Sequence, residues 1–220
     1  MIIKKDPYFS GMYRQIERVW DLLHKESNKE SYKYLKKYLK KAIFCEEGWW
    51  QIAADNIKSD GLCLEFGVFK GDSLNYFSNY LPDKNWYGFD SFYGLQEDWK
   101  GGLFAKGYFN LNGNVPIFNK NVKIIKGFFK DTLPNFLKKH NKNISFIHID
   151  CDTYESTKDI FNCIDKKKLQ KNCIIIFDEY FGYIGWKENE FKAWKEYVKK
   201  NKIKYKYIAF GEKQAIIKIL

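Results

Sequence analysis

Residues 62–74 read LCLEFGVFKGDSL. An apolar run over 62–66, broken only by Glu65, has the length of a buried strand. Gly67 and Gly71 follow, and Asp72, Ser73 and Leu74 open a helical pattern. Strand, glycine turn and helix in this order present backbone N–H groups and a helix N-terminus to a ligand. Gly67 lets a ligand approach the backbone, and Gly71 lets the turn tighten. Ser73 can hydrogen-bond in the first helical turn. The dinucleotide fingerprint G-x-G-x-x-G is missing: Glu65 stands where its first glycine belongs, and the next glycine comes one residue late. A Walker A loop is missing too. Glu65 would repel a pyrophosphate but suits a cationic ligand or an amino group.

The alternation continues outward from this turn. Strands are predicted at 86–89, 122–125, 144–149 and 173–177, and helices at 72–81, 131–139, 155–164 and 188–200. Segments 205–210 and 215–220, joined by Gly211-Glu212-Lys213-Gln214, read as a hairpin. Such alternation means an α/β fold with a mostly parallel sheet, helices on both faces and one antiparallel closing strand. Upstream, Tyr13, Ile16, Trp20 and Leu23 recur at helical spacing, as do Tyr32, Leu35, Leu39 and Ile43, and a third run starts at Trp49. The expected organisation is a helical extension over 1–58 packed on a domain over 59–220, within one structural domain. Residues 91–121 have no regular period yet carry seven aromatics. A connection that long is a functional loop or lid, or an irregular insertion containing a short helix.

Composition narrows the function classes. The chain has 220 residues, 45% apolar and 19% aromatic, enough for one domain with a full core and incompatible with disorder. No stretch approaches the ~20 apolar residues of a membrane helix. The opening MIIKKDPYF has no apolar core ahead of a cleavage site, so no signal peptide is expected. Five cysteines without a C-x-x-C pair read as reduced thiols of a cytoplasmic protein and disfavour zinc. The net charge of +11 comes from lysine clusters, whereas arginine occurs only as Arg14 and Arg18. Arginine is the better reader of bases and phosphates, so solvated lysine faces outweigh a nucleic-acid site.

Acidic residues stand at the predicted strand tips. Asp90 ends WYGFD, residues 86–90, where an acid can accept both hydroxyls of a ribose; with Ser91 it reads equally as a turn. Asp150 and Asp152 end the strand of FIHIDCDTYEST, residues 146–157. Acidic tips without a phosphate fingerprint suggest a nucleoside joined to an ammonium, as in S-adenosylmethionine (SAM).

On these residues the chain resembles the class I SAM-dependent methyltransferases, and more narrowly the macrocin-type sugar O-methyltransferases. The likeness is carried by LEFGVFKGDS (64–73), YGFDSFYGLQEDW (87–99), GFFKDTLP (127–134), HIDCDTYEST (148–157) and IIIFDEY (174–180). It implies a Rossmann-like seven-stranded sheet with SAM across the C-terminal ends of its first strands. Gly67, Phe69, Gly71 and Ser73 would line the methionine side near Glu65. Asp90 and Ser91 would hold the ribose, and Phe128 and Phe129 would flank the adenine, although plain core packing suits both phenylalanines as well. A divalent metal, Mg²⁺ foremost, would be held by Asp150 and by Asp178-Glu179, where the family often has two aspartates. The longer Glu179 moves the ligand oxygens by one methylene. Asp150 or another carboxylate would take the acceptor's proton, while Asp152 reads as support or a turn.

Catechol methyltransferases have a lysine where Thr153 stands, and His148 inside its strand reads as a core histidine. The implied acceptor is a sugar or nucleotide-linked sugar, with the 91–121 aromatics and Tyr180, Phe181, Tyr183 and Trp186 available to stack on it. A homo-oligomer interface is the other use of that aromatic surface. A small phenolic or catecholic acceptor, or a non-catalytic basic module binding nucleic acid, are the competing readings.

Overall fold

A computed structural model of the protein describes residues 18–102 and 104–220. In chain order the elements are α1 (Val19–Leu35), β1 (Ile43–Phe44), α2 (Trp49–Asn56), β2 (Leu62–Phe66), α3 (Asp72–Tyr80), β3 (Trp86–Asp90) and β4 (Val122–Lys126). Then follow α4 (Phe129–Lys139), β5 (Ile144–Ile149), α5 (Tyr154–Cys163), β6 (Leu169–Phe177), α6 (Glu190–Asn201), β7 (Tyr205–Phe210) and β8 (Ala215–Ile219), with short 3₁₀ turns before β6 and α6. They build one eight-stranded sheet of order β1-β7-β8-β6-β5-β2-β3-β4. Every pairing is parallel except those of β8 with β6 and β7.

The expected seven strands are therefore corrected to eight. The additional strand, β1, comes from the segment expected to be helical and pairs with β7 at the sheet edge, Ile43 opposite Ala209. Helix α1 covers parts of both expected N-terminal runs, and Leu39 and Ile43 lie beyond its end. Tyr13 and Ile16 lie outside the described residues. Among the described residues, the long connection between β3 and β4 contains no helix; it folds on itself through a bridge between Tyr93 and Asn110.

The central strands are buried on both faces, which is why they read as continuous apolar runs. Along β2, Leu62, Leu64 and Phe66 enter one core, whereas Cys63 enters the other. The first core is filled by Leu133 and Phe136 of α4, Ile160 and Phe161 of α5, and Trp194 and Tyr197 of α6. The second takes Ala53 and Ala54 of α2 with Leu74 and Phe77 of α3. From β2 the chain runs outward through β3 to β4, then returns to place β5 on the other flank of β2. The C-terminal ends of β2 and β5 thus form the switch point, the place where open α/β sheets bind ligands.

Candidate active site

The turn after β2 and the turn after β5 touch at this switch point. Gly67 has φ +87°, and a Cβ there would stand 1.7 Å from the Asp150 carbonyl oxygen. Only glycine fits such a backbone in such a space. The Asp90 carboxylate then organises the turn. Its Oδ2 accepts the Val68 and Phe69 N–H groups, each at 2.8 Å, and its Oδ1 accepts the Phe92 N–H at 2.7 Å. Phe69 and Phe92 have φ of +46° and +59°. This left-handed backbone is costly for aromatic residues, and Asp90 anchors it at both positions.

Glu65, Gly71 and Ser73 lie apart from the cavity over this turn. Glu65 is fully buried. Its Oε1 accepts the Ser73 hydroxyl at 3.0 Å, and its Oε2 accepts His148 Nδ1–H at 3.0 Å. Glu65 and His148 are register partners on β2 and β5, so both side chains leave the sheet on one face. Gly71 packs on Phe118, whose ring carbon a Cβ would meet at 2.2 Å. Burial works against a charged His148, yet the Asp178 and Glu65 carboxylates outweigh it and raise its pKa well above the ordinary value. A cationic ligand's amino group, expected beside Glu65, finds that position taken by His148.

Oxygens of Asp150, Asp152 and Glu179 all lie within 4.8 Å of one another. Asp152 thus stands in the cluster where Asp178 was expected. Asp178 and Glu179 are consecutive, so they leave the end of β6 in different directions. Asp178 Oδ1 lies 3.8 Å from His148 Nε2, and its Oδ2 accepts the Gln214 side-chain N–H at 3.5 Å. Asp152 reaches the cluster through a left-handed backbone with φ +63°, a conformation Asp tolerates better than most residues.

Burial raises the Asp150 and Glu179 pKa values well above the carboxylate range, and repulsion from Asp178 and the other acids adds to it. Asp152 is pushed up to about 7, first by burial and then by Asp178, against the opposing charge of Lys213. Behind them, Glu190 at the start of α6 is fully buried; its Oε2 accepts the Glu179 N–H at 3.2 Å. The Oε2 of Glu179 is buried without a hydrogen-bond partner. Converging, mutually repelling carboxylates with an unsatisfied buried oxygen fit a hard divalent cation, and oxygen-only donors favour Mg²⁺, Ca²⁺ or Mn²⁺.

A cavity of about 340 Å³ joins the two turns. Gly67, Phe69, Asp90, Ser91, Phe128 and Phe129 line one end, and Asp150, Asp152 and Glu179 line the other. Trp99, Phe104 and Phe109 of the β3–β4 connection complete the wall. Rings chain across it: Phe69 to Phe109 at 5.3 Å, Phe109 to Phe104 at 5.2 Å, Phe104 to Trp99 at 5.8 Å. Tyr180, Phe181, Tyr183 and Trp186, expected to stack on an acceptor, are buried in the core instead. Tyr180 and Trp186 pack between α1, α6 and β7, as when Tyr180 hydrogen-bonds Tyr207 at 2.8 Å. Phe181 packs on Phe210, and Tyr183 packs against Trp99 of the cavity wall at 5.4 Å. The role of Asp152 and the approach of Lys213 were not legible in sequence, since each depends on turn geometry. The repeated acid of D-C-D was the only local signal for the first.

A family model described as a methyltransferase domain matches residues 64–180. The chain belongs to this methyltransferase family, and its fold is that of the class I SAM-dependent enzymes. Among solved structures it is similar to CalS11, a calicheamicin methyltransferase, with 21% identity and a TM-score of 0.63 over 77% of this chain and 76% of that one. A second, apo structure of CalS11 is described as a TDP-rhamnose 3'-O-methyltransferase and aligns with a TM-score of 0.56 at 21% identity over the same shares of the two chains. The O-methyltransferase NovP aligns at 20% identity and a TM-score of 0.61, covering 77% of this chain and 78% of its own. No curated protein sequence matches the chain at a significant level. Among the described residues no helix is long and apolar enough to cross a membrane.

Proposed function

We propose that the protein transfers a methyl group from SAM to a hydroxyl of a sugar or nucleotide-linked sugar, assisted by a divalent cation. The observation that carries this reading is the single cavity joining the amide-rich Gly67–Asp90 turn to the Asp150–Asp152–Glu179 cluster. In this reading SAM lies along the first half, with its ribose near Asp90 and Ser91. Phe128, half-exposed beside the cavity, and the more buried Phe129 flank the adenine. Glu65 and Ser73 act from behind, by fixing the turn. The naming of CalS11 as a TDP-rhamnose methyltransferase supports the acceptor class.

Asp150, Asp152 and Glu179 would hold the cation, and Asp178 would steady the cluster through His148. Bound there, a divalent ion supplies charge that lowers the pKa of an acceptor hydroxyl. Asp150, or a neighbouring carboxylate of the cluster, would take the hydroxyl proton. The acceptor oxygen then attacks the sulfonium methyl in line: the O–C bond forms, the S–C bond breaks, and S-adenosylhomocysteine (SAH) leaves. The aromatic wall of Trp99, Phe104 and Phe109 excludes water and holds the acceptor's angle, which is where most of the rate should arise. That wall also suits a flat phenolic ring, the second reading.

Isothermal titration tests the first half of the proposal: SAH binds at micromolar levels, and absence of binding at millimolar SAH removes it. A mass-spectrometric screen of nucleotide sugars against phenols, read for one added methylene, decides between the two acceptors.

A further inference from the structure

The cavity is lined by four acids, Asp90, Asp150, Asp152 and Glu179, and among its described lining residues by one basic side chain, Lys213. Lys213 sits at the tip of the β7–β8 hairpin. Its backbone is fixed: its carbonyl accepts the Tyr180 N–H at 2.9 Å and the Phe181 N–H at 3.3 Å, and its N–H donates to Gln214 Oε1 at 3.2 Å. The stem runs past Gly182, where an added Cβ would stand 3.7 Å from Lys213 Cγ. The bond from the Tyr180 N–H sets the hairpin tip beside Glu179, at the carboxylate end of the cavity that Lys213 lines. Yet none of the ion pairs among the described residues includes it.

A lysine with an anchored backbone, an uncommitted head and a place at the acceptor end serves neither half of the site as described. SAM is a net cation whose single carboxylate belongs to the methionine, so constant SAH affinity in Lys213 variants separates that group from an acceptor anion. Once the carboxylates are neutralised, Lys213 is the remaining positive charge facing the cavity.

We propose that Lys213 is a specificity-determining residue that binds an anionic group, phosphate or carboxylate, carried by the acceptor next to the hydroxyl-bearing ring. The inference rests on the methyltransferase reading for its choice of acceptor, but its chemistry is that of a lysine meeting an oxyanion as a point charge. It predicts that the enzyme prefers charged sugars, either nucleotide-linked or acidic, over neutral ones.

The test uses the full chain saturated with SAH in buffer containing magnesium, titrated with uridine 5′-diphosphate, with glucuronate and with the neutral methyl glucoside. At least one anionic probe binds wild type. Lys213→Ala weakens it by about tenfold or more, Lys213→Glu abolishes it, and Lys213→Arg stays within about threefold. Methyl glucoside responds to none of these changes, and SAH affinity stays constant in all variants. Diphosphate binding alone identifies a phosphate source, and glucuronate binding alone a carboxylate source. Unchanged anion affinity in Lys213→Ala, or no binding of either anion to SAH-loaded wild type, overturns the proposal. Failure of SAH to bind would instead remove the methyltransferase reading.

Discussion

Asp90 and the Asp150–Asp152–Glu179 group line the same cavity, yet the fold treats their charges in opposite ways. Asp90 accepts three backbone N–H groups, so the chain itself satisfies its oxygens. The other three face one another, and one Glu179 oxygen has no partner. Their partners include further acids, Asp178 and Glu190, which raise their pKa values further. A carboxylate satisfied by the backbone is a scaffold element that can also present an oxygen lone pair to a ligand. Carboxylates left in mutual repulsion cost stability unless a cation or proton joins them. In the proposed function the first kind forms the cofactor's half of the cavity, and the second the half where charge must be supplied.

The largest expected effect comes from breaking the contact between the halves. Gly67→Ala places a Cβ against the Asp150 carbonyl at 1.7 Å on a left-handed backbone. It should lower stability by about 4 kcal/mol in urea unfolding and abolish SAH binding by titration. Next is Asp90→Ala, which leaves three amides without their acceptor. Stability should fall by about 3 kcal/mol and SAH affinity by tenfold or more. If Asp90→Ala is as stable as wild type, the scaffold role assigned to Asp90 is wrong.

The carboxylate cluster should behave in the reverse sense. Glu179→Gln removes a carboxyl group whose ionisation costs stability, so metal-free stability should fall less with rising pH than in wild type, while the response to magnesium is lost. The pH dependence has a definite sign. Folded-state pKa values raised above those of the unfolded chain mean that the folded protein binds more protons. Metal-free stability therefore falls as pH climbs from the unfolded carboxylate value of about 4, through the Asp152 value of about 7. Thermal melts across that range measure it, and a rise in stability would contradict the cluster's raised values. The smallest effect is Asp178→Asn. With Asp178 outside the cluster, the magnesium-induced shift should survive within a degree or two. Its loss would return Asp178 to the ligand set in place of Asp152.

Much of this architecture was legible because buried parallel strands write themselves as apolar runs. β2, β5 and the end of β6 are such runs, and the acids at their tips follow directly. β1 was not legible, because two exposed residues, Ile43 and Phe44, become a strand only by meeting β7. Parts of the two N-terminal runs share one helix because no Gly or Pro interrupts 19–35. Within the site, Gly67 and the carboxylate tips were readable as types of residue. Their directions were not. Glu65 turned inward because strand parity and register set it beside His148. Asp152 joined the cluster through a positive φ that sequence does not announce. The aromatics after Asp178 looked available for stacking, but they are buried, Trp186 against Tyr34 of α1 and Tyr183 behind Trp99.

The account's central claim, that Asp150, Asp152 and Glu179 form a cation site beside the SAM cavity, is tested most directly by melting SAH-saturated protein with and without magnesium at pH 5 and pH 8. The prediction is a magnesium-induced rise in Tm that is larger at pH 8, where fewer protons compete for the cluster, and absent in Glu179→Gln. A wild-type protein whose Tm ignores magnesium, calcium and manganese at both pH values would contradict it.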